Sequence, residues 1–145
     1  ITSVIGYSSL YGNDWYFIDA NGQYVTGWQF INGNWYYFAG NTVMTTGWQY
    51  VNGNWYYMDA SGAMKTGWQY INGKWYFLEK SGTMTMGWQY ISGHWYYMDW
   101  TGIMTTGWQY IGGHWYYMNA DGIMVTGRHY INKRWYYFNA NGVWN

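Results

Sequence analysis

The sequence has no cysteine, which excludes disulfides and thiolate chemistry from any account of it. Charge is nearly as scarce. Only 8% of residues are charged and the formal net charge is zero, against about 25% charged residues in an average globular domain. Asn, Gln, Thr, Ser and Tyr hydroxyls must therefore solubilise the surface. Six Lys and Arg do not make the electrostatic footprint of a nucleic-acid binder, and single-strand stacking on aromatics needs a basic groove as well. No apolar run approaches the ~20 residues of a membrane-spanning helix, so membrane insertion is not expected. No basic-then-apolar signal segment opens the chain. The chain begins almost directly in a degenerate repeat, as expected of a mature or excised piece of something longer. No nucleophile motif or phosphate loop is present.

Aromatic residues are abundant, at 27% of 145 residues, and they are periodic. Gly-Trp stands at Gly27-Trp28, Gly47-Trp48, Gly67-Trp68, Gly87-Trp88 and Gly107-Trp108, each 20 residues after the last. A second Trp follows seven residues later, at Trp35, Trp55, Trp75, Trp95 and Trp115. A fixed period of this length marks a repeat array. The expected repeats run approximately over 6–26, 27–46, 47–66, 67–86, 87–106 and 107–126, with a capping repeat at 127–145, all in one module over 1–145.

Within a repeat, Trp28-Gln29-Phe30-Ile31 and Trp35-Tyr36-Tyr37-Phe38 are strand candidates around Asn32-Gly33. Asn-Gly between β-formers is a strong hairpin signal, because both turn residues must tolerate positive φ. Asn52-Gly53 and Asn72-Gly73 repeat it, Ser92-Gly93 and Gly112-Gly113 vary it, and Asn132-Lys133 departs from it. Alternation sends Trp35 and Tyr37 to one face and Tyr36 and Phe38 to the other. Both faces are apolar, and a lone hairpin is marginal in water. Each hairpin should therefore be covered by its neighbours, giving an all-β solenoid of stacked hairpins with a column of aromatic and aliphatic side chains inside. A sandwich is the alternative, less compatible with so strict a period.

The two ends depart from the pattern. At the start, Gly6-Tyr7 takes the place of Gly-Trp, with one residue inserted around Tyr11-Gly12-Asn13. At the end, Arg128-His129 replaces Trp-Gln, and Lys133 and Arg134 add two further charges. This reads as a polar cap that stops stacking, with an anion contact as the second reading.

Large rings from neighbouring hairpins can form a box, and one ligand type suits it well. A quaternary ammonium has no N–H to donate, so a carboxylate offers it charge but no hydrogen bond. The negative faces of Trp and Tyr attract it and accept its methyl groups, at about 0.5–1 kcal/mol when exposed and ~2 or more when desolvated.

The unit Gly-Trp-Gln-Tyr-Ile-Asn-Gly-Lys-Trp-Tyr-Phe…Ser-Gly-Thr-Met-Thr at 67–85 resembles the choline-binding repeat, or cell-wall-binding repeat, of bacterial surface proteins and phage lysins, and the resemblance extends over residues 6 to 143. It implies a left-handed superhelix of β-hairpins with sites between consecutive hairpins. Each site takes two Trp of one repeat, a Tyr of the next and often a Met, and the usual ligand is the choline of teichoic acids. Carried over, Trp28 and Trp35 take Tyr57 and Met44, and Trp48 and Trp55 take Phe77, where a Tyr is expected, with Met64 as the linker Met. Trp68 and Trp75 take Tyr97 and Met84, Trp88 and Trp95 take Tyr117 and Met104, and Trp108 and Trp115 take Tyr137 and Met124. The second aromatic after each Trp is chosen because alternation puts it on the Trp face. The first, such as Tyr56 or Tyr96, is assigned to core packing. Tyr7, Trp15 and Tyr37 form a weaker candidate at the start, and Arg128 should abolish any site after Trp115 and Tyr137, since a fixed cation repels the ligand cation.

The resemblance thus implies a non-catalytic module, without cofactor or metal, secreted and held at the bacterial cell wall or surface, or part of a phage lysin acting there. Glucan-binding repeats of glucansucrases and certain toxin repeats share Gly-Trp-Gln elements. In that alternative Gln29, Gln49, Gln69, Gln89 and Gln109 would meet sugar hydroxyls. A purely structural spacer, its boxes filled by its own side chains, is the third class. Exposed aromatic terminal hairpins are compatible with a homodimer. His94 and His114 occupy a position that also holds Asn34, Asn54, Lys74 and Arg134, which reads as a tolerant turn site rather than a metal ladder. Asp19, Asp59, Glu79, Asp99 and Asp121 fall one per linker, where Asx-type turns explain them. Nothing pairs them as a glycosidase requires. Trp100 lies off the pattern.

Overall fold

The computed structural model describes the backbone of residues 4–8 and all of residues 14–145. Among these the secondary structure is strand and turn, in seven two-stranded sheets, each a hairpin. The strands are β1 (Val4–Ser8), β2 (Asp14–Ile18), β3 (Gly27–Ile31), β4 (Asn34–Phe38), β5 (Gly47–Val51), β6 (Asn54–Met58), β7 (Gly67–Ile71), β8 (Lys74–Leu78), β9 (Gly87–Ile91), β10 (His94–Met98), β11 (Gly107–Ile111), β12 (His114–Met118), β13 (Gly127–Ile131) and β14 (Arg134–Phe138). The expected all-β array of hairpins at 20-residue spacing is the observed architecture.

The turns follow from their residues. Asn32 and Gly33 adopt φ of 51° and 85°, the paired left-handed geometry that matches strand twist and that Asn-Gly tolerates. Lys133 adopts the same geometry at φ 69°, where a side chain meets the following carbonyl. Lys133→Gly should therefore raise stability by about 0.5–1 kcal/mol. A denaturant midpoint unchanged or lowered would contradict the strain.

Register in β3–β4 sets Trp28 opposite Tyr37 and Phe30 opposite Trp35, with Gln29 opposite Tyr36. The four aromatics Trp28, Phe30, Trp35 and Tyr37 thus share one face, and Tyr36 and Phe38 lie on the other. The first hairpin differs from the sequence reading. Val4 pairs with Ile18 and Tyr7 with Trp15, so Val4-Ile5 holds the register place of Gly-Trp and Tyr7 that of Phe30. The loop between β1 and β2 is three residues longer than in later hairpins, since residues 9–13 replace a two-residue turn. Tyr11, Gly12, Asn13 and the Tyr7 side chain lie outside the described residues.

The chain forms two compact units, one of Ile1–Gly67 with Leu78–Met84, the other of Trp68–Phe77 with Thr85–Asn145. In the first, Phe38, Met58 and Leu78 are fully buried. In the second, Met98, Met118 and Phe138 are. Each is the last residue of a second strand, bridged to a linker residue six positions on, as Phe38 is to Met44 and Met98 to Met104. Each hairpin from β3–β4 onward supplies one such side chain to the core of its unit, as the alternation argument anticipates; β2 ends on the half-buried Ile18.

Linkers are held by a local device. Asp59 Oδ1 accepts from the amides of Ser61 and Ala63, and Asp19 and Asp99 do the same in their linkers. In the 119–124 linker the acceptor is Asn119, not Asp121, which corrects the sequence assignment. Burial works against ionising Asp59, but the hydrogen bonds of Ser61 and Ala63 and the charge of Lys65 outweigh it and hold the carboxyl below the ordinary aspartate value. A carboxyl with a lowered folded pKa stabilises above its unfolded pKa, and that contribution is lost as pH falls through the folded value. Because Asn serves the same turn at 119 and 139, Asp59→Asn should keep neutral-pH stability within about 0.5 kcal/mol. It should also flatten the loss of stability below about pH 4. An unchanged acid limb in urea titrations would refute this assignment.

Candidate functional site

The linker places the decisive residues. The Met64 amide donates to the Trp35 carbonyl at 2.8 Å, so the linker after β6 runs beside the hairpin before it. Met104 and Met124 bond Trp75 and Trp95 in the same way. Each methionine therefore closes a space beside a Trp 29 residues earlier rather than in its own repeat.

Among the described residues, niches open beside three of the indole pairs. The first, of about 350 Å³, is lined by Trp28, Trp35, Tyr56 and Met64, with Lys80 and Ser81 at its rim. The second, also about 350 Å³, is lined by Trp68, Trp75, Tyr96 and Met104, with Ala120 and Asp121. The third, about 320 Å³, is lined by Trp88, Trp95, Tyr116 and Met124, with Ala140 and Asn141. In the first the two indoles lie 6.4 Å apart at 84° and Tyr56 stands 4.8 Å from Trp28. The corresponding values are 6.3 Å, 84° and 4.9 Å in the second and 6.2 Å, 85° and 4.8 Å in the third. Two perpendicular indole faces and a phenol thus border one space, a geometry suited to a cation.

The tyrosine and the methionine differ from the sequence expectation. Tyr57, Phe77, Tyr97 and Tyr117 pack inside their own hairpins, 5.1 Å from Trp48, Trp68 and Trp88 and 5.3 Å from Trp108. They face the same way as the Trp opposite them, so they support that Trp from beneath. The residue reaching back to the preceding Trp must leave the opposite face of the next hairpin, and that residue is Tyr56, Tyr96 or Tyr116, assigned to core by sequence. Met44 belongs with Trp15, whose carbonyl accepts its amide at 2.7 Å. Met64, placed with Trp48 and Trp55 from sequence, lines the Trp28 niche, and Met84, placed with Trp68, bonds Trp55 at 2.8 Å. Met104, placed with Trp88, lines the Trp68 niche, and Met124, placed with Trp108, lines the Trp88 niche. Alternation applied across the repeat boundary selects the tyrosine that borders the preceding indoles. The methionine offset has no local signal.

Trp48 and Trp55 keep the same disposition, 6.4 Å and 84°, and the Phe77 substitution sits beneath Trp68, not beside them. At Trp108 and Trp115, 6.3 Å apart at 82°, Tyr136 stands 4.9 Å from Trp108 where Tyr137 was expected. Trp144 takes the methionine place, its amide bonded to Trp115 and its ring 5.7 Å from Trp108 and from Tyr136. Arg128 lays its guanidinium 4.5 Å over the Trp135 ring. The last hairpin thus carries its own cation where the others present an open face. Tyr37 packs on Trp28 at 5.0 Å, and the candidate of Tyr7, Trp15 and Tyr37 includes a Tyr7 side chain outside the described residues. His94 and His114 open their strands, exposed, and Trp100 is 84% exposed at a linker tip. Tyr76, in the repeat position of Tyr56, has its phenol pKa raised by burial and then by the charge of Asp99.

Among the described residues no buried side-chain N or O lacks a partner. The amides of Gln29, Gln49 and Gln109 donate to the carbonyls of Thr26, Thr46 and Thr106, and that of Gln89 to Met86. His129 contacts Thr126 in the same way. Those glutamines serve the turn, which weakens the glucan alternative.

A stack of near-identical hairpins with aromatic niches defines a repeat-built binding module. The model of the choline-binding repeat matches residues 25–66, 65–104 and 105–143, and the chain belongs to that family. No curated protein sequence matches it. Among solved structures it is similar to choline binding protein F of Streptococcus pneumoniae, determined in the presence of a tetrasaccharide-pentapeptide peptidoglycan analogue. The identity is 39% and the TM-score 0.90, over 97% of this chain and 51% of that one. CbpJ of Streptococcus pneumoniae TIGR4 gives 37% and 0.91 over 97% and 51%. The pneumococcal cell wall endolysin from phage Cp-1, complexed with choline, gives 37% and 0.58 over 83% and 37%. The chain thus spans about half the length, or less, of these structures.

Proposed function

We propose that the chain acts as one non-catalytic anchoring module that binds choline of cell-wall teichoic acid through cation–π contacts, at the surface of a bacterium or within a phage lysin acting there. The observation that carries this is the wall chemistry. Two perpendicular indoles, a phenol and a methionine surround about 350 Å³, so ring faces dominate the walls and the charged side chains lie in exposed linker turns. A quaternary ammonium needs no hydrogen-bond partner. A sugar needs one for each hydroxyl it buries, at a cost of about 1–3 kcal/mol for each left without, and ring faces supply none. Single niches are weak, but several facing one polymer raise avidity by roughly 10²–10⁴ without new contacts.

Titration with choline while following Trp fluorescence should give saturable quenching or enhancement, and free choline should elute the chain from a tertiary-amine resin. Retention by glucan with indifference to choline would reverse the assignment. The proposal includes self-association through the last hairpin, where Trp135 and Tyr137 are 61% and 55% exposed. A strictly monomeric chain at high concentration in sedimentation would exclude it.

A further inference from the structure

The three niches have the same walls and different rims. Lys80 and Ser81 border the Trp28 niche, Ala120 and Asp121 the Trp68 niche, and Ala140 and Asn141 the Trp88 niche. These rim residues come from the linker turn one repeat beyond the methionine, at equivalent positions, and all are exposed. Among the described residues Lys80 and Asp121 have no ion-pair partner, and the Asp121 carboxylate makes no hydrogen bond. The turn that holds Asp121 is secured by Asn119 instead. Both charges are therefore available to a ligand at the mouth.

We propose that this rim charge makes otherwise equivalent niches select different ligand forms. The Lys80 niche prefers a zwitterion, a trimethylammonium joined through a short linker to a phosphate. The Asp121 niche prefers the bare cation, and the Asn141 niche is indifferent. This rests on the reading that the niches hold quaternary ammonium groups. With the ammonium among the rings, a phosphate two carbons away must lie at the mouth, where it meets ammonium in one niche and carboxylate in another. A phosphate monoester carries roughly −1.5 to −2 charge at pH 7. Between groups some 6–8 Å apart in nearly aqueous surroundings, the preference amounts to roughly threefold to tenfold in affinity ratio.

Each niche carries its own reporter, since Met64, Met104 and Met124 line one apiece. The full chain labelled with ¹³C-methyl methionine, titrated separately with choline chloride and phosphocholine, gives an affinity ratio at each methyl. The phosphocholine-to-choline ratio should be highest at Met64, intermediate at Met124 and lowest at Met104. Lys80→Gln and Asp121→Asn should each bring their own methyl to the Met124 ratio. About 1 M NaCl, where the screening length is ~3 Å, should abolish the spread. Equal ratios at all three methyls, or ratios unmoved by the two substitutions, overturn the rim assignment and leave ammonium binding standing. Methyls that respond to neither ligand overturn both.

Discussion

Trp68→Ala is expected to weaken choline binding at its own niche by roughly 10- to 30-fold, and to leave the Met64 niche within about twofold. The magnitude follows from the loss of one desolvated cation–π face, about 2 kcal/mol, which at 1.4 kcal/mol per decade sets the upper end. Trp68 also packs on Trp75, Phe77 and Tyr96, so stability should fall by about 2–4 kcal/mol, in the range of large-to-alanine substitutions. The second effect does not depend on the first. Trp68→Phe separates them, since it keeps an apolar ring in the stack while offering a weaker cation face. Normal folding with normal choline affinity at Met104 in the alanine variant would remove Trp68 from the site.

Gly82→Ala is expected to damage the Trp28 niche although it replaces none of its lining residues. Gly82 sits at φ +89°, and an added Cβ would lie 2.3 Å from the Met64 Sδ. The backbone strain alone costs about 1–2 kcal/mol. The clash falls on the flexible end of Met64, which can move, so the larger consequence is functional. Met64 is driven from the position where it closes the floor, and choline affinity there should drop about fivefold, roughly 1 kcal/mol. Met64→Ala in the same chain should relieve the clash but not the strain, so the two substitutions combine less than additively. Gly62, Gly122 and Gly142 meet Met44, Met104 and Met124 in the same way, so the effect should recur at Gly122. Full additivity at 82 and 64 would show that the close approach carries no energy.

Lys80 and Asp121 show a limit of reading such a chain along its own repeats. From sequence they are one linker lysine and one linker carboxylate, and spacing alone groups Asp121 with turn-forming Asp59 and Asp99. Only the return of the linker past the preceding hairpin brings either to a niche.

The sequence by itself determined the hairpins, their 20-residue spacing, the positive-φ turns, the buried column and the paired indoles, because local chemistry controls each of these. Asn-Gly bends the chain wherever it occurs, and alternation assigns faces within any one strand. Tertiary structure alone decided which tyrosine, methionine and rim residue meet each indole pair. That choice depends on how far the linker travels before its amide finds a carbonyl, as Met64 finds Trp35. Near-identical repeats offer several equally spaced partners for that bond, and packing in three dimensions selects one.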